Sequence, residues 1–169
     1  MRPTVLLFHP NRAASRANHA FALAAERAGY AVRDLYAEYA ESPIRIAPEQ
    51  SERERETDLV LLHPFHWYSA PWLLKRYLDE VLTYGWAYGE RTALSGKRWR
   101  QAITVGASEP EYRPGASRQY SVAEFLRPFE RTAAFCQMPY DPFYRHGAGY
   151  VSDSDLSRWS SEFVDWLRS

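Results

Sequence analysis

The chain has 169 residues, 46% of them hydrophobic, and its 21 basic and 21 acidic side chains cancel to a formal charge of zero. That length and apolar content suit one domain, residues 1–169, large enough to enclose a continuous core. Zero net charge removes the global field that would advertise nucleic acid or an anionic membrane surface.

The N-terminus runs directly into Val5-Leu6-Leu7-Phe8, too short a stretch for a signal segment or a membrane span, and this predicts a buried first strand over 5–9. Further short apolar runs bounded by turn residues predict strands over 31–35, 58–63, 101–106 and 138–144. Helical spacing fills the gaps. Residues 18–28 place Phe21, Leu23 and Ala24 on neighbouring turns before the stop at Gly29, and 72–82 repeats the pattern with Leu74, Tyr77, Leu78, Val81 and Leu82. A helix over 122–135 is expected to kink or split at Pro128, and 154–167 closes the series with Leu156, Trp159, Phe163 and Trp166. The run Glu49-Gln50-Ser51-Glu52-Arg53-Glu54-Arg55-Glu56 reads as a solvated helical face.

Strand and helix in alternation call for parallel strands joined by right-handed crossovers, an α/β three-layer sandwich. Five strands at this length suit the flavodoxin-like order 2-1-3-4-5, in which a ligand sits beyond the carboxyl ends of the strands near the switch point. Three loops therefore converge there, following His9, His63 and Gly106. The single Cys136 has no disulfide partner, and no Cys/His ligand cluster exists, so a reducing, cytoplasmic address is expected.

In the first loop, Ser15 or Asn18 either caps a helix or bonds a phosphate, and His9, Arg12 and Arg16 stand within reach of an anion. Gly-x-Gly-x-x-Gly and the phosphate-loop motif are both missing, which argues against a Rossmann dinucleotide site and a P-loop. The second loop, His63-Pro64-Phe65-His66-Trp67-Tyr68-Ser69-Ala70-Pro71, carries three rings and a histidine. These rings either stack on a flat tricycle such as a flavin or pack on the sheet or a subunit interface. In the third loop, Thr104-Val105-Gly106-Ala107 supplies small residues that let backbone approach a planar ring, and Tyr112 stands ready to cover it.

Taken together, His9-Pro10 with Ser15-Arg16-Ala17-Asn18, the aromatic loop with Leu73-Leu74-Lys75, Gly85-Trp86-Ala87-Tyr88-Gly89 and Ala93-Leu94-Ser95-Gly96-Lys97 resemble the NAD(P)H:quinone oxidoreductase family. The likeness is greatest to its KefF/KefG-type branch, the ancillary flavoproteins of glutathione-gated potassium efflux. It implies a homodimer that binds FMN or FAD and passes a hydride from NADPH or NADH to a quinone or related electrophile. Carried over by position, it implies flavin contacts at His9 and Ser15, Arg16, Ala17 and Asn18 for the phosphate, Phe65, His66, Trp67 and Tyr68 around the ring, and Thr104, Val105, Gly106 and Ala107 beneath it. Tyr88 corresponds to a stretch that closes the pocket from the neighbouring subunit. A second implied role is regulatory: docking on the cytoplasmic domain of a potassium/proton antiporter, peripheral to the inner face of the membrane. The family's Thr-Thr-Gly-Gly is Thr104-Val105-Gly106-Ala107 here, so a hydroxyl is lost and a methyl is expected beside the flavin.

Little acid–base chemistry is asked of the protein, yet a group that stabilises reduced flavin or protonates the acceptor is useful, and His66, Tyr88 and Tyr112 are the candidates. His146 reads as structural, and Cys136 as a small apolar packing group. A one-electron carrier of flavodoxin type calls for an acidic surface, against which the zero charge weighs.

Overall fold

Alternate residues of each central strand point to opposite faces, and the apolar side chains divide accordingly. Val5 and Leu7, Val60 and Leu62, and Ala102 pack with Phe21, Phe143 and Phe163 on one side. Leu6, Leu59 and Leu61, and Trp99, Ile103 and Val105 pack with Leu74, Tyr77 and Phe129 on the other. Two such layers require a sheet covered by helices on both faces. The computed structural model, which describes residues 2–169, has that arrangement.

In chain order the elements are β1 (Val5–Leu7), α1 (Arg16–Arg27), β2 (Val32–Asp34), α2 (Leu35–Tyr39), α3 (Ile46–Arg55), β3 (Asp58–Pro64), α4 (Trp72–Val81), β4 (Arg98–Val105), α5 (Val122–Phe125), α6 (Arg127–Phe135), β5 (Tyr140–His146) and α7 (Asp153–Arg168). The five strands are parallel in the order β2-β1-β3-β4-β5, as the alternation of strand and helix anticipates. β5 starts two residues later than the sequence pattern suggests. As an edge strand it accommodates Pro142, which faces no strand on its outer side. The expected break near Pro128 falls at Leu126, and Pro128 itself opens α6, where its missing N–H is no loss.

The charged run before β3 is not the solvated face that its composition suggests. Glu49, Arg53 and Glu56 are buried. Glu49 accepts hydrogen bonds from Tyr39 at 2.7 Å and Tyr77 at 2.9 Å and pairs with Arg33 of β2 at 2.6 Å. Burial opposes ionisation of Glu49, but Arg33 and the two tyrosines outweigh it and hold the carboxyl below its usual range. Buried ionic groups thus fasten the short β2 and α2 to α3, where little apolar area exists to do so.

His63 lies fully buried at the end of β3, bonded through Nδ1 to the Pro64 carbonyl at 2.8 Å and through Nε2 to Gln101 at 2.8 Å. The carbonyl contact makes Nδ1 the protonated nitrogen, so Nε2 accepts from the Gln101 amide. Burial holds its pKa down at about 4.

Two stability measurements follow. Removing one partner of a buried ionic cluster leaves the others uncompensated, so Glu49→Ala should lose about 3 kcal/mol in urea unfolding. A loss well under 1 kcal/mol would show the cluster to be idle. The folded pKa of His63 lies below the unfolded value, so the unfolded chain binds the proton more readily. Stability therefore falls as pH drops from about 6.5 towards about 4, by about 3 kcal/mol for this group. Urea titrations at stepped pH should show a flatter slope in His63→Gln than in the wild type.

Candidate functional site

A parallel sheet leaves the loops beyond its carboxyl edge with backbone donors that no neighbouring strand uses. Here three such loops meet. At the start of α1, Ser15 caps the helix by accepting from the Asn18 N–H at 3.2 Å, while the N–H groups of Arg16 and Ala17 have no protein acceptor among the described residues. Donors at a helix start form an anion site. Asn18 joins this loop to the third one: its Nδ2 donates to Thr104 Oγ1 at 2.7 Å, and its buried Oδ1 has no partner.

The arginines expected near an anion are otherwise engaged. Arg12 pairs with Glu26 at 3.0 Å, and the Arg16 guanidinium bonds Asp153 and the Val151 carbonyl, tying α1 to α7. The Arg16 contribution is thus its backbone N–H, and the reading of its side chain as a phosphate ligand is corrected. His9 Nδ1 accepts from the Asn11 N–H at 3.0 Å. Burial, with like-charge repulsion from His66, lowers the His9 pKa against the pull of Asp34, so the ring stays neutral near neutral pH. Ala17 is buried and packs beneath the loop.

The aromatic loop is a tight two-residue turn. His66 N–H donates to the Ser69 carbonyl at 3.3 Å and Ser69 N–H to that of His66 at 3.0 Å. The central pair, Trp67 at φ 48° and Tyr68 at φ 59°, sits in the left-handed region that bulky side chains avoid. Strain of this kind persists where the surroundings enforce it, and it concentrates at ligand sites. The turn leaves the N–H groups of Trp67 and Tyr68 without protein acceptors among the described residues. Trp67 is 84% exposed and stacks on no ring among the described residues, whereas Phe65 meets Tyr112 edge-on at 6.0 Å. His66 is exposed on the same turn.

The third loop corrects the expectation for Val105. Its side chain is fully buried in the layer beneath α4 and α6, so only its backbone reaches the edge, whereas Ala107, which carries the added methyl, is partly exposed. The Val105, Gly106 and Ala107 carbonyls accept from Ala148, Gly149 and Gly147, which fixes the loop, while the Gly106 and Ala107 N–H groups have no acceptor among the described residues. Thr104 is buried and holds Asn18. Burial raises the pKa of Tyr112 against the nearby Arg118, so its hydroxyl keeps its proton.

Two parts of this edge are hard to read from sequence. Phe125 of α5 stacks on Tyr68 at 4.9 Å, and Arg118 donates to the Tyr68 hydroxyl at 3.2 Å, so the segment after Tyr112 folds over the aromatic turn. His146 ends β5 with its ring 5.3 Å from that of Tyr112. Tyr88 stands apart: it lines a cavity of about 330 Å³ between α4 and α6 with Ser69, Lys75 and Phe135, so within one chain it does not join His66 and Tyr112.

Backbone donors at a helix start, an aromatic turn and a loop of small residues lie together on the switch-point edge, where sheets of this topology carry their ligands. The chain belongs to the flavodoxin-like fold family, whose profile matches residues 1–165. It is similar to the glutathione-regulated potassium-efflux system ancillary protein KefG of Pectobacterium carotovorum, 39% identical over 172 residues that cover 99% of this chain and 94% of that one. It is also similar to the uncharacterized NAD(P)H oxidoreductase YdeQ of Bacillus subtilis, 35% identical with 97% and 85% covered. Among solved structures, general stress protein 14 of Treponema denticola in complex with FMN superposes with a TM-score of 0.89 at 36% identity, covering 98% of each chain.

Trp67→Gly tests whether the strained turn serves a ligand. Relief of the positive φ should stabilise the protein by about 0.5 kcal/mol, while flavin affinity falls by about 1 kcal/mol through loss of an exposed ring. Thermal melts of the flavin-free protein and fluorescence titration with FMN read the two effects. Unchanged affinity would remove Trp67 from the site.

Proposed function

We propose that this chain is a flavin-dependent NAD(P)H oxidoreductase that transfers two electrons, as hydride, to quinones or related electrophiles. The observation that carries this reading is the convergence of unpaired N–H groups from Arg16, Ala17, Trp67, Tyr68, Gly106 and Ala107 on one sheet edge beside Phe65 and Tyr112. Such a cradle fits the anionic phosphate and planar ring of FMN or FAD, and the orphaned Asn18 Oδ1 and its neighbours supply further polar contacts. The oxidoreductase name of one relative and the FMN of a structural neighbour support it.

When bound, the flavin carries the hydride between NADPH or NADH and the acceptor. The chain then does the following. Ser15, Arg16 N–H, Ala17 N–H and Asn18 hold the phosphate end beside His9. Phe65, His66, Trp67 and Tyr68 would hold the ring together with Thr104 and the backbone of Val105, Gly106 and Ala107. Tyr112 would hold a proton near the ring site for the acceptor, and His66, on the aromatic turn, would be a second donor.

The same reading includes a homodimer. Tyr84 and Phe135, both exposed and packed on Tyr88, present apolar surface beside the cavity that Tyr88 lines, a pattern suited to a partner subunit. Closure of the site across that interface gives Tyr88 a place in it. The KefG name of one relative favours a second, compatible role, docking as an ancillary subunit on a potassium/proton antiporter at the inner face of the membrane. No helix among the described residues is long and apolar enough to cross a membrane itself.

The purified protein should show visible flavin absorbance, release FMN or FAD on denaturation, and oxidise NADPH or NADH with menadione. No visible band after incubation with both flavins would end the cofactor assignment. Bound flavin without turnover would leave only the ancillary role. Phe135→Glu should shift the sedimentation coefficient to that of a monomer if α4 and α6 form the interface.

A further inference from the structure

Tyr88 stands apart from the other candidate site residues, and on the reading above it meets the flavin site only across the subunit interface. A side chain that serves a neighbouring site gains no support from that site within its own chain, so its direction has to be set from behind. The turn that carries it, residues 83–89, lies between α4 and β4 and belongs to no helix or strand.

Two side chains of α3 reach this turn. Gln50 and Glu54 are one helical turn apart and so share a face. Gln50 Nε2 donates to the Val81 carbonyl at 2.9 Å and to Thr83 Oγ1 at 3.0 Å, where α4 ends. Glu54 Oε1 accepts from Trp86 Nε1 at 2.7 Å and from Arg91 at 3.0 Å. Lys97 donates to the carbonyls of Glu54 and Glu56, which fixes the end of α3 in turn. Trp86 is buried, and without Glu54 its single N–H would be left unpaired at a cost in free energy.

The turn passes this constraint on to Tyr88. The N–H groups of Trp86 and Ala87 donate to the Thr83 carbonyl at 3.2 and 3.0 Å, Gly85 N–H to the Tyr88 carbonyl at 2.8 Å, and Ala93 N–H to the Trp86 carbonyl at 2.8 Å. Tyr84 crosses Gly89, which has φ 91° and where a Cβ would come within 2.5 Å of the ring. The Tyr84 ring meets that of Tyr88 edge-on at 5.8 Å, and Tyr88 rests 5.0 Å from Phe135. Two residues separate the anchored indole from the Tyr88 ring, with little freedom left between them.

We propose that Glu54, with Gln50 beside it, is a positioning residue. By holding the Trp86 indole it sets the turn so that Tyr88 presents its ring to the partner's site and bounds the space for nicotinamide and acceptor. Glu54 is exposed and lies outside that space, so its effect falls on substrate binding and not on hydride transfer. The charged run before β3 thus faces two ways: Glu49 anchors β2, and Glu54 anchors the interface turn.

Tyr88 has a partner site only on the dimeric oxidoreductase reading, on which this assignment rests. Flavin-loaded wild type, Glu54→Ala, Glu54→Gln, Trp86→Phe and the double variant of Glu54→Ala with Trp86→Phe are compared with NADPH and menadione. Glu54→Ala and Trp86→Phe should each raise the KM for menadione about fivefold, the worth of one aromatic contact, with kcat nearly unchanged. Glu54→Gln keeps an oxygen acceptor for the indole and should restore the wild-type KM, and the double variant should be no worse than either single one. An unchanged KM in Glu54→Ala, a loss confined to kcat, additive effects or no rescue by Gln would each overturn the assignment. A second readout needs no flavin: the amides of Gly85 and Ala93 should exchange hydrogen about tenfold faster in Glu54→Ala, while that of Leu61 in β3 exchanges as in the wild type. Uniform acceleration, or none, removes Glu54 as the anchor of the turn. A wild type that binds no flavin or sediments as a monomer refutes the underlying reading, and with it the role of Tyr88, whereas an active dimer whose KM ignores Glu54 overturns the positioning alone.

Discussion

In the inner strands, parallel pairing uses the backbone donors and acceptors up to the carboxyl edge and then stops, and the candidate site depends on that stop. Phe8 N–H reaches Leu62 and Phe65 N–H reaches Thr104, which extends the ladders one residue beyond the strands. Past these bonds the chain turns into helices or loops, and the donors of Arg16, Ala17, Trp67, Tyr68, Gly106 and Ala107 are left over. In a closed core they would be a cost. At an open edge they form a cradle for an anion and a polar ring.

Precise placement of these donors demands that the loops be held from behind. Asn18 to Thr104 locks the helix start to the third loop, and the bonds from Gly147, Ala148 and Gly149 lock that loop to the end of β5. Arg118 and Phe125 hold Tyr68 from above. The energy for the strained turn at Trp67 and Tyr68 comes from this framework and from the two apolar layers, since the turn makes only two backbone bonds of its own. The opposite end of the sheet uses a different device, in which ionic groups centred on Glu49 anchor the short β2.

Much of the fold is legible along the chain. Leu6 against Leu7 and Leu61 against Leu62 announce strands buried on both faces, Gly29 marks a helix end, and Pro128 announces the break that precedes α6. Ser15 is legible as a cap, which it is. The site is legible in outline only. A loop with Phe65, Trp67 and Tyr68 signals something beyond a turn, but composition does not disclose the positive φ at its centre. Val105 reads as a site residue through the family's Thr-Thr-Gly-Gly stretch, although alternation within the strand predicted over 101–106 puts its side chain on the same face as that of Ile103, in the core.

By itself the sequence determined the order of elements, the parallel topology and the three loops that face a common edge, because periodicity and turn chemistry act over a few residues. Only the tertiary structure decided which charges are buried, where Tyr88 lies and what stands behind Tyr112. Glu49 is 16 residues from Arg33, and Asn18 is 86 from Thr104. Contacts of that span follow from sheet register and helix packing, which no local pattern encodes. The apolar faces thus specify the scaffold, and the burial it creates decides the fate of each polar group.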